Sequence, residues 1–409
     1  MYIIMLSFTK GLNDKNGTEG SFMNNSNLSF RKIYTLKSQT PILHFQYNQA
    51  GVTLRATEVK PKLDRFISLH FNKKIKSDWY VKKDALNYKL HFEALGNQQI
   101  IDPSKPKKEY DIFYGNMGTN NSNKKQLIKG DVKMTVVCII PELMQFIDDV
   151  VARFFAVTNF GAMQNKGFGS YIVEEKKSWY DTPDNISNAL KNATGSRSCY
   201  YYESPFPNTV FKTIKAIYSI MKSGVNYTSF GNSKVYKRSL LFTYMHRDEY
   251  KMGNEKSWMK QNKIAPIICK SGKKWHRNSE EHKAFYVRAL LGIGEQFKFK
   301  SHADDVLINV ENTDKDENNK KLIERLASPI FFKVIGKNVY IVANRINENI
   351  YGKTFKFSST MGTGTLRVPE KTELSPDFID AFLEYCINEI NRDSDYIFGE
   401  KKHIEIKKV

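Results

Sequence analysis

A short glycine-rich run, Asn159-Phe-Gly-Ala-Met-Gln-Asn-Lys-Gly-Phe-Gly-Ser-Tyr171, restricts the fold more tightly than any other segment of this chain. An amphipathic stretch precedes it at residues 141–155, and a strand-like run follows at 170–174. Glycines at 161, 167 and 169 let main chain come close to a neighbour, because no Cβ stands in the way. The run therefore joins a helix to a strand through a tight, backbone-dominated loop, with a single lysine, Lys166, inside it.

The charge balance suggests what such a loop could meet. The chain of 409 residues carries 63 Lys+Arg against 43 Asp+Glu, a formal charge of +20. Nucleic acid is the first partner this implies, ahead of a membrane surface or an acidic protein; a lysine-rich composition without a partner is the bland alternative. Hydrophobic residues at 41% and aromatics at 13% describe a folded chain, long enough for two or more cores. Cys138, Cys199, Cys269 and Cys386 form no CxxC pair, so spacing encodes neither a zinc site nor a redox motif, and reduced thiols in a cytoplasmic protein are expected. No apolar run approaches the roughly 20 residues that span a bilayer. The apolar start, residues 1–8, lacks a basic leader and reads as a strand.

Polar, low-complexity segments at 13–27, 115–125 and 312–321 read as surface loops. Between them the first 175 residues show order. Residues 32–45 read as a strand that Pro41 interrupts or confines to an edge. Thr57 could cap a helix reaching about Phe71, with Pro61 near its start. Residues 88–95 and 132–140 read as strands. Pro141 opens a helix with Leu143, Phe146, Ile147, Val150, Val151, Phe154 and Phe155 at helical spacing. With the strand after the glycine loop the order is β-α-β-β-α-β, the ferredoxin-like unit. In the second half, 206–221 and 280–291 read as helices, 328–335 and 338–343 as a strand pair about Gly336-Lys337, and 375–392 as a helix. The expected class is α+β: two ferredoxin-like, RRM-related βαββαβ domains, residues 1–180 and 181–409, the second with a helical insertion at about 205–292.

Several motifs give this pattern a family. Gly51-Val-Thr-Leu-Arg-Ala-Thr-Glu-Val-Lys60 and the glycine loop resemble the hallmarks of the RAMP superfamily of CRISPR effector subunits. Ile112-Phe-Tyr-Gly115 is similar to a further aromatic-glycine motif. Arg288-Ala-Leu-Leu-Gly-Ile-Gly294 and Arg325-Leu-Ala-Ser-Pro-Ile-Phe-Phe-Lys333 look like the second-domain signature of the large RAMP subunit of type III-B (Cmr) complexes. The resemblance implies a non-catalytic subunit near the crRNA 3′ end, with crRNA, target RNA and other RAMP subunits as partners, and no cofactor, metal or membrane.

On this reading the candidate RNA contacts are Arg55, Lys60, Lys62 and Arg65 around the first helix, and Gly161, Gln164, Asn165, Lys166, Gly167 and Gly169 in the loop. Phosphate would meet the cations and the backbone N–H groups. The competing structural reading makes the helix lysines a solvated face and the glycines a tight connection. The tandem Tyr200, Tyr201 and Tyr202 could stack bases but fit a core better. No Gly-Lys-Ser/Thr follows the glycines, so this is not a Walker loop. The catalytic alternative is a RAMP-type endoribonuclease processing CRISPR precursor RNA, with His44 as base; sequence supplies no second positioned group.

Overall fold

The computed structural model describes residues 30–44, 54–101, 126–204, 210–228, 234–267, 282–294, 296–299, 306–314, 323, 326–394 and 404–409. The expectations for residues 1–8, 13–27, 51–53, 112–125 and 315–321 lie outside these.

The first unit is built on β1 (Arg31–Ser38), β2 (Ile42–His44), α1 (Ala56–Phe71), β3 (Lys89–Ile101), β4 (Gln126–Val137), α2 (Pro141–Val157) and β5 (Tyr171–Val173). Its sheet runs β5-β1-β4-β3, antiparallel throughout, and β2 takes up the edge of β4 beyond β1. Pro41 divides the expected 32–45 strand in two. Alternation decides the faces. Tyr34, Leu36, Leu90, Phe92, Val132, Met134 and Val136 point under α1 and α2, whereas Ile33 and Val137 are exposed on the opposite face, beside Arg31, Lys89 and His91. Helix α1 starts at Ala56 despite Pro61 inside it. The start does not slip past the proline, because Val59 is fully buried and its N–H already bonds Arg55 O at 2.9 Å.

The second unit consists of α3 (Pro183–Thr194), β6 (Cys199–Glu203), α4 (Val210–Lys222), β7 (Ile330–Ile335), β8 (Asn338–Ala343), α5 (Phe378–Arg392) and β9 (Lys407–Lys408). Its sheet runs β7-β8-β6-β9, again antiparallel. Strands β7 (IFFKVI) and β8 (NVYIVA) are near-continuous apolar runs because both their faces are covered. Phe332, Val334 and Ile341 share a core with α4 and α5. Phe331, Ile335, Tyr340 and Val342 belong to the core that also holds residues of α1, α2 and α3. Tyr200 and Tyr202 are buried in β6, as the core reading expects.

The insertion is not simply helical. Helices Leu240–Met245 and Glu255–Gln261 alternate with short strands, and α4 belongs to the second sheet unit rather than to the insertion. A four-stranded antiparallel sheet joins Gln296–Phe299 and Val306–Asn312 to Thr354–Ser358 and Thr363–Arg367. The helix expected at 280–291 is a strand, Lys283–Phe285, followed by a 3-10 turn, Val287–Leu291. Phe285, Tyr286, Val287, Ala289, Leu290 and Leu291 are all buried, a near-continuous apolar run without the 3.6-residue alternation of an amphipathic helix.

Candidate nucleic-acid interface

The glycine loop is a joint between the two units. Phe160 N–H donates to Gly169 O at 3.0 Å, and Asn159 and Ser170 form an isolated bridge. One side fills the break between β1 and β2: Gly169 N–H donates to Pro41 O and Ala162 N–H to Leu43 O, both at 2.9 Å, and Thr40 Oγ1 donates to Gly167 O at 2.6 Å. The other side runs along β7. Asn159 Nδ2 donates to Phe332 O at 3.0 Å, Phe332 N–H to Asn165 O at 3.2 Å, and Ser170 Oγ to Val334 O at 2.7 Å. Lys333, fully buried, donates from Nζ to Thr158 O (2.9 Å) and Asn159 Oδ1 (3.1 Å); burial holds this amine well below the ordinary lysine range. Phe168 crosses into the second core and stacks on Phe211, ring centroids 4.1 Å apart.

The loop groups expected to meet RNA have partners within the chain. Gly161 N–H donates to Glu58 Oε1 at 2.9 Å, Gly167 N–H to Gln164 O at 3.2 Å, and Lys166 N–H to Met163 O at 2.9 Å. Gln164 bonds Gly161 O through Nε2 and accepts from Lys62 at Oε1. Asn165 Nδ2 donates to Ser328 O. Lys166 Nζ is enclosed over the Tyr218 ring, with no hydrogen-bond partner. Burial, and then Lys222, hold it well below the ordinary lysine range. A buried ammonium without a counter-ion is costly, so this side chain behaves as packing and not as a surface cation.

The helix lysines also turn inward. Lys60 Nζ bonds Asp64 Oδ2 at 2.6 Å and Leu86 O at 3.0 Å, and lies over Tyr88. Lys62 Nζ bonds Glu58 Oε1, Asn159 O and Gln164 Oε1 at 3.0–3.2 Å, strapping α1 to the loop. Arg65 is exposed, and Arg55 is half-buried at the N-cap of α1. The side chain of His44 lies outside the described residues.

The glycine loop, the Arg288–Gly294 stretch and the Arg325–Lys333 stretch are far apart in sequence and meet here. Tyr218 of α4, under Lys166, donates to Leu291 O at 2.5 Å and touches the Ser328 side chain. Lys222 Nζ, one turn on, donates to Leu291 O at 3.2 Å and Gly292 O at 2.5 Å. Arg288, Lys256 and the buried Glu255 adjoin it. Sequence reading missed Lys222 and Lys256: neither belongs to a motif, and only the fold brings them to Arg288.

Two models of one family match the chain: the Cmr1 N-terminal domain over residues 30–225 and the Cmr1 C-terminal domain over residues 236–404. The chain belongs to the Cmr1 family. Membership makes it a RAMP subunit of a type III-B Cmr complex, in agreement with the motif resemblance. Among solved structures it is similar to apo Cmr1 from Pyrococcus furiosus, with 11% identity and a TM-score of 0.39, over 83% of this chain and 99% of that one. No curated protein matches it. Among the described residues no helix is long and apolar enough to cross a membrane.

The junction lysines give this family member a pH signature. Lys222 is pushed down to about 7 by burial and then by Arg288, with Glu255 opposing. Lys256 is pushed down to about 8 by burial and then by Arg288. Between these values and the unfolded value near 10.4, the unfolded chain binds more protons than the native one, so stability rises with pH. Urea unfolding is expected to show higher stability at pH 9 than at pH 7, and Lys222→Met to flatten much of that rise. An equal rise in the variant would contradict the assignment.

Proposed function

We propose that this chain is a non-catalytic RNA-binding subunit of a type III-B CRISPR effector, acting in antiviral defence in the cytoplasm. On this reading it contacts guide RNA, target RNA or both near the crRNA 3′ end, with other RAMP subunits as neighbours. The observation that carries it is a +20 charge on a chain of this family whose first sheet, among the described residues, exposes side chains on one face. That face carries Arg31, Lys89, His91 and Lys133 beside the exposed Ile33 and Val137. RNA-binding sheets of RRM-related folds use such a face. We take both units, 1–180 and 181–409, as ferredoxin-like. What supports this is the β-α-β-β-α-β order in each and the same strand order in both sheets. Of the sequence candidates, the exposed Arg65 is the one we keep as an RNA contact. Lys60, Lys62 and the loop residues serve the joint.

Titration with single-stranded RNA at several salt concentrations tests this. Log affinity should fall with log salt, by about 0.7 per neutralised phosphate, and Arg65→Ala should make the slope shallower. A flat salt response would count against the proposal. Site-specific cutting of repeat RNA, lost in His44→Ala, would instead favour the endoribonuclease.

A further inference from the structure

Three cations from separate elements meet around Ser223, just beyond α4. Arg288 donates from Nη2 to Ser223 Oγ at 2.7 Å, and Lys256 Nζ reaches Ser223 O at 3.4 Å. Lys222, the preceding residue, is held on the carbonyls of Leu291 and Gly292. The acid facing them is Glu255, buried, with Oε1 3.7 Å from Arg288 Nε. Lys260 adds further positive charge. Among the described residues, one carboxylate thus faces three close cations.

Three of the buried polar atoms at this place have no hydrogen bond: Arg288 Nε, Lys166 Nζ and Glu255 Oε2. Ordinary folding selects against such an excess, because unpaired buried charge costs stability. Ser223 itself is exposed, so the cluster reaches solvent through it. A carboxylate could be satisfied by the guanidinium fork alone. Donors converging from a guanidinium, an ammonium and a hydroxyl suit an anion with more oxygens.

We propose that Ser223, Lys256 and Arg288, backed by Lys222, form a receptor for a backbone phosphate of single-stranded RNA. The proposal rests on the RNA-binding reading above. It places one phosphate contact at the rim of the junction, where the glycine loop itself offers none.

The test uses the full chain and a fluorescein-labelled single-stranded RNA, titrated at several salt concentrations, with Arg288→Gln and Lys256→Gln compared with wild type. Each variant is expected to weaken binding roughly fivefold and to make the log–log salt slope shallower by about 0.7, the share of one phosphate contact. Lys371→Gln, which removes the same charge at an exposed ion pair with Glu348, is expected to leave the slope unchanged. Lys256→Gln decides the matter if Arg288→Gln does not fold. Wild-type affinity and slope in Lys256→Gln would overturn the receptor while leaving RNA binding intact. No RNA binding by the wild type would overturn both. Strands with and without a terminal phosphate are expected to bind alike; binding that requires the terminal phosphate would overturn the backbone assignment.

Discussion

Gly169→Ala is expected to cost roughly 3–5 kcal/mol of folding stability. Two effects combine. Gly169 has φ +69°, a left-handed conformation that an L side chain adopts only with strain. A Cβ there would also fall on the main chain of Phe160, which cannot retreat: Phe160 N–H is bonded to Gly169 O, and Gly169 N–H to Pro41 O. Gly336 is the internal control. It has φ +60° in the β7–β8 turn, but a Cβ there would meet nothing within 4 Å. Gly336→Ala is expected to cost only about 1 kcal/mol. Urea unfolding of both variants separates backbone conformation from close approach. Equal costs would show that the loop is not clamped as described.

Phe168→Ala is expected to cost about 3–5 kcal/mol, the range for emptying a buried aromatic site. The ring is fully buried, stacks on Phe211 of α4, and belongs to the second unit's core although its chain neighbours belong to the first. Its loss should therefore loosen the joint as well as the core. Native-state hydrogen exchange is expected to speed up in β7 and α4 more than in α1. A uniform change, or a cost below about 1 kcal/mol, would contradict a wedge role.

Much of the fold was legible because local chemistry and tertiary demand agree. Pro141 opens α2, and its apolar stripe from Leu143 to Phe155 is the buried face. Ser-Pro precedes α5, and the stripe from Phe378 to Ile390 packs inward. The turn Gly336-Lys337 links β7 to β8. Residues 280–291 read as a helix, but periodicity alone cannot separate a helix from a short, mostly buried apolar run such as 285–291.

The site was only partly legible. The glycines marked a close approach, but their partner, β7, lies about 165 positions away, so sequence could not say whether main chain or phosphate came close. Lys60, Lys62 and Lys166 read as surface charge because lysine usually is. Their inward partners, Asp64, Glu58 and the Tyr218 ring, become visible only when α1, the loop and α4 are set side by side. Lys222, Lys256 and Arg288 come from three elements, and no spacing rule connects them.

Lys166→Met measures directly whether the glycine loop is a joint or a phosphate cradle. The loop's amides and side chains are spent on the two units, and the Lys166 ammonium is sealed over Tyr218. An apolar side chain of similar length should therefore leave RNA affinity and its salt slope at wild-type values, with stability unchanged or raised. A loss of affinity with a slope shallower by about 0.7 would show that Lys166 meets a phosphate, and would contradict the joint.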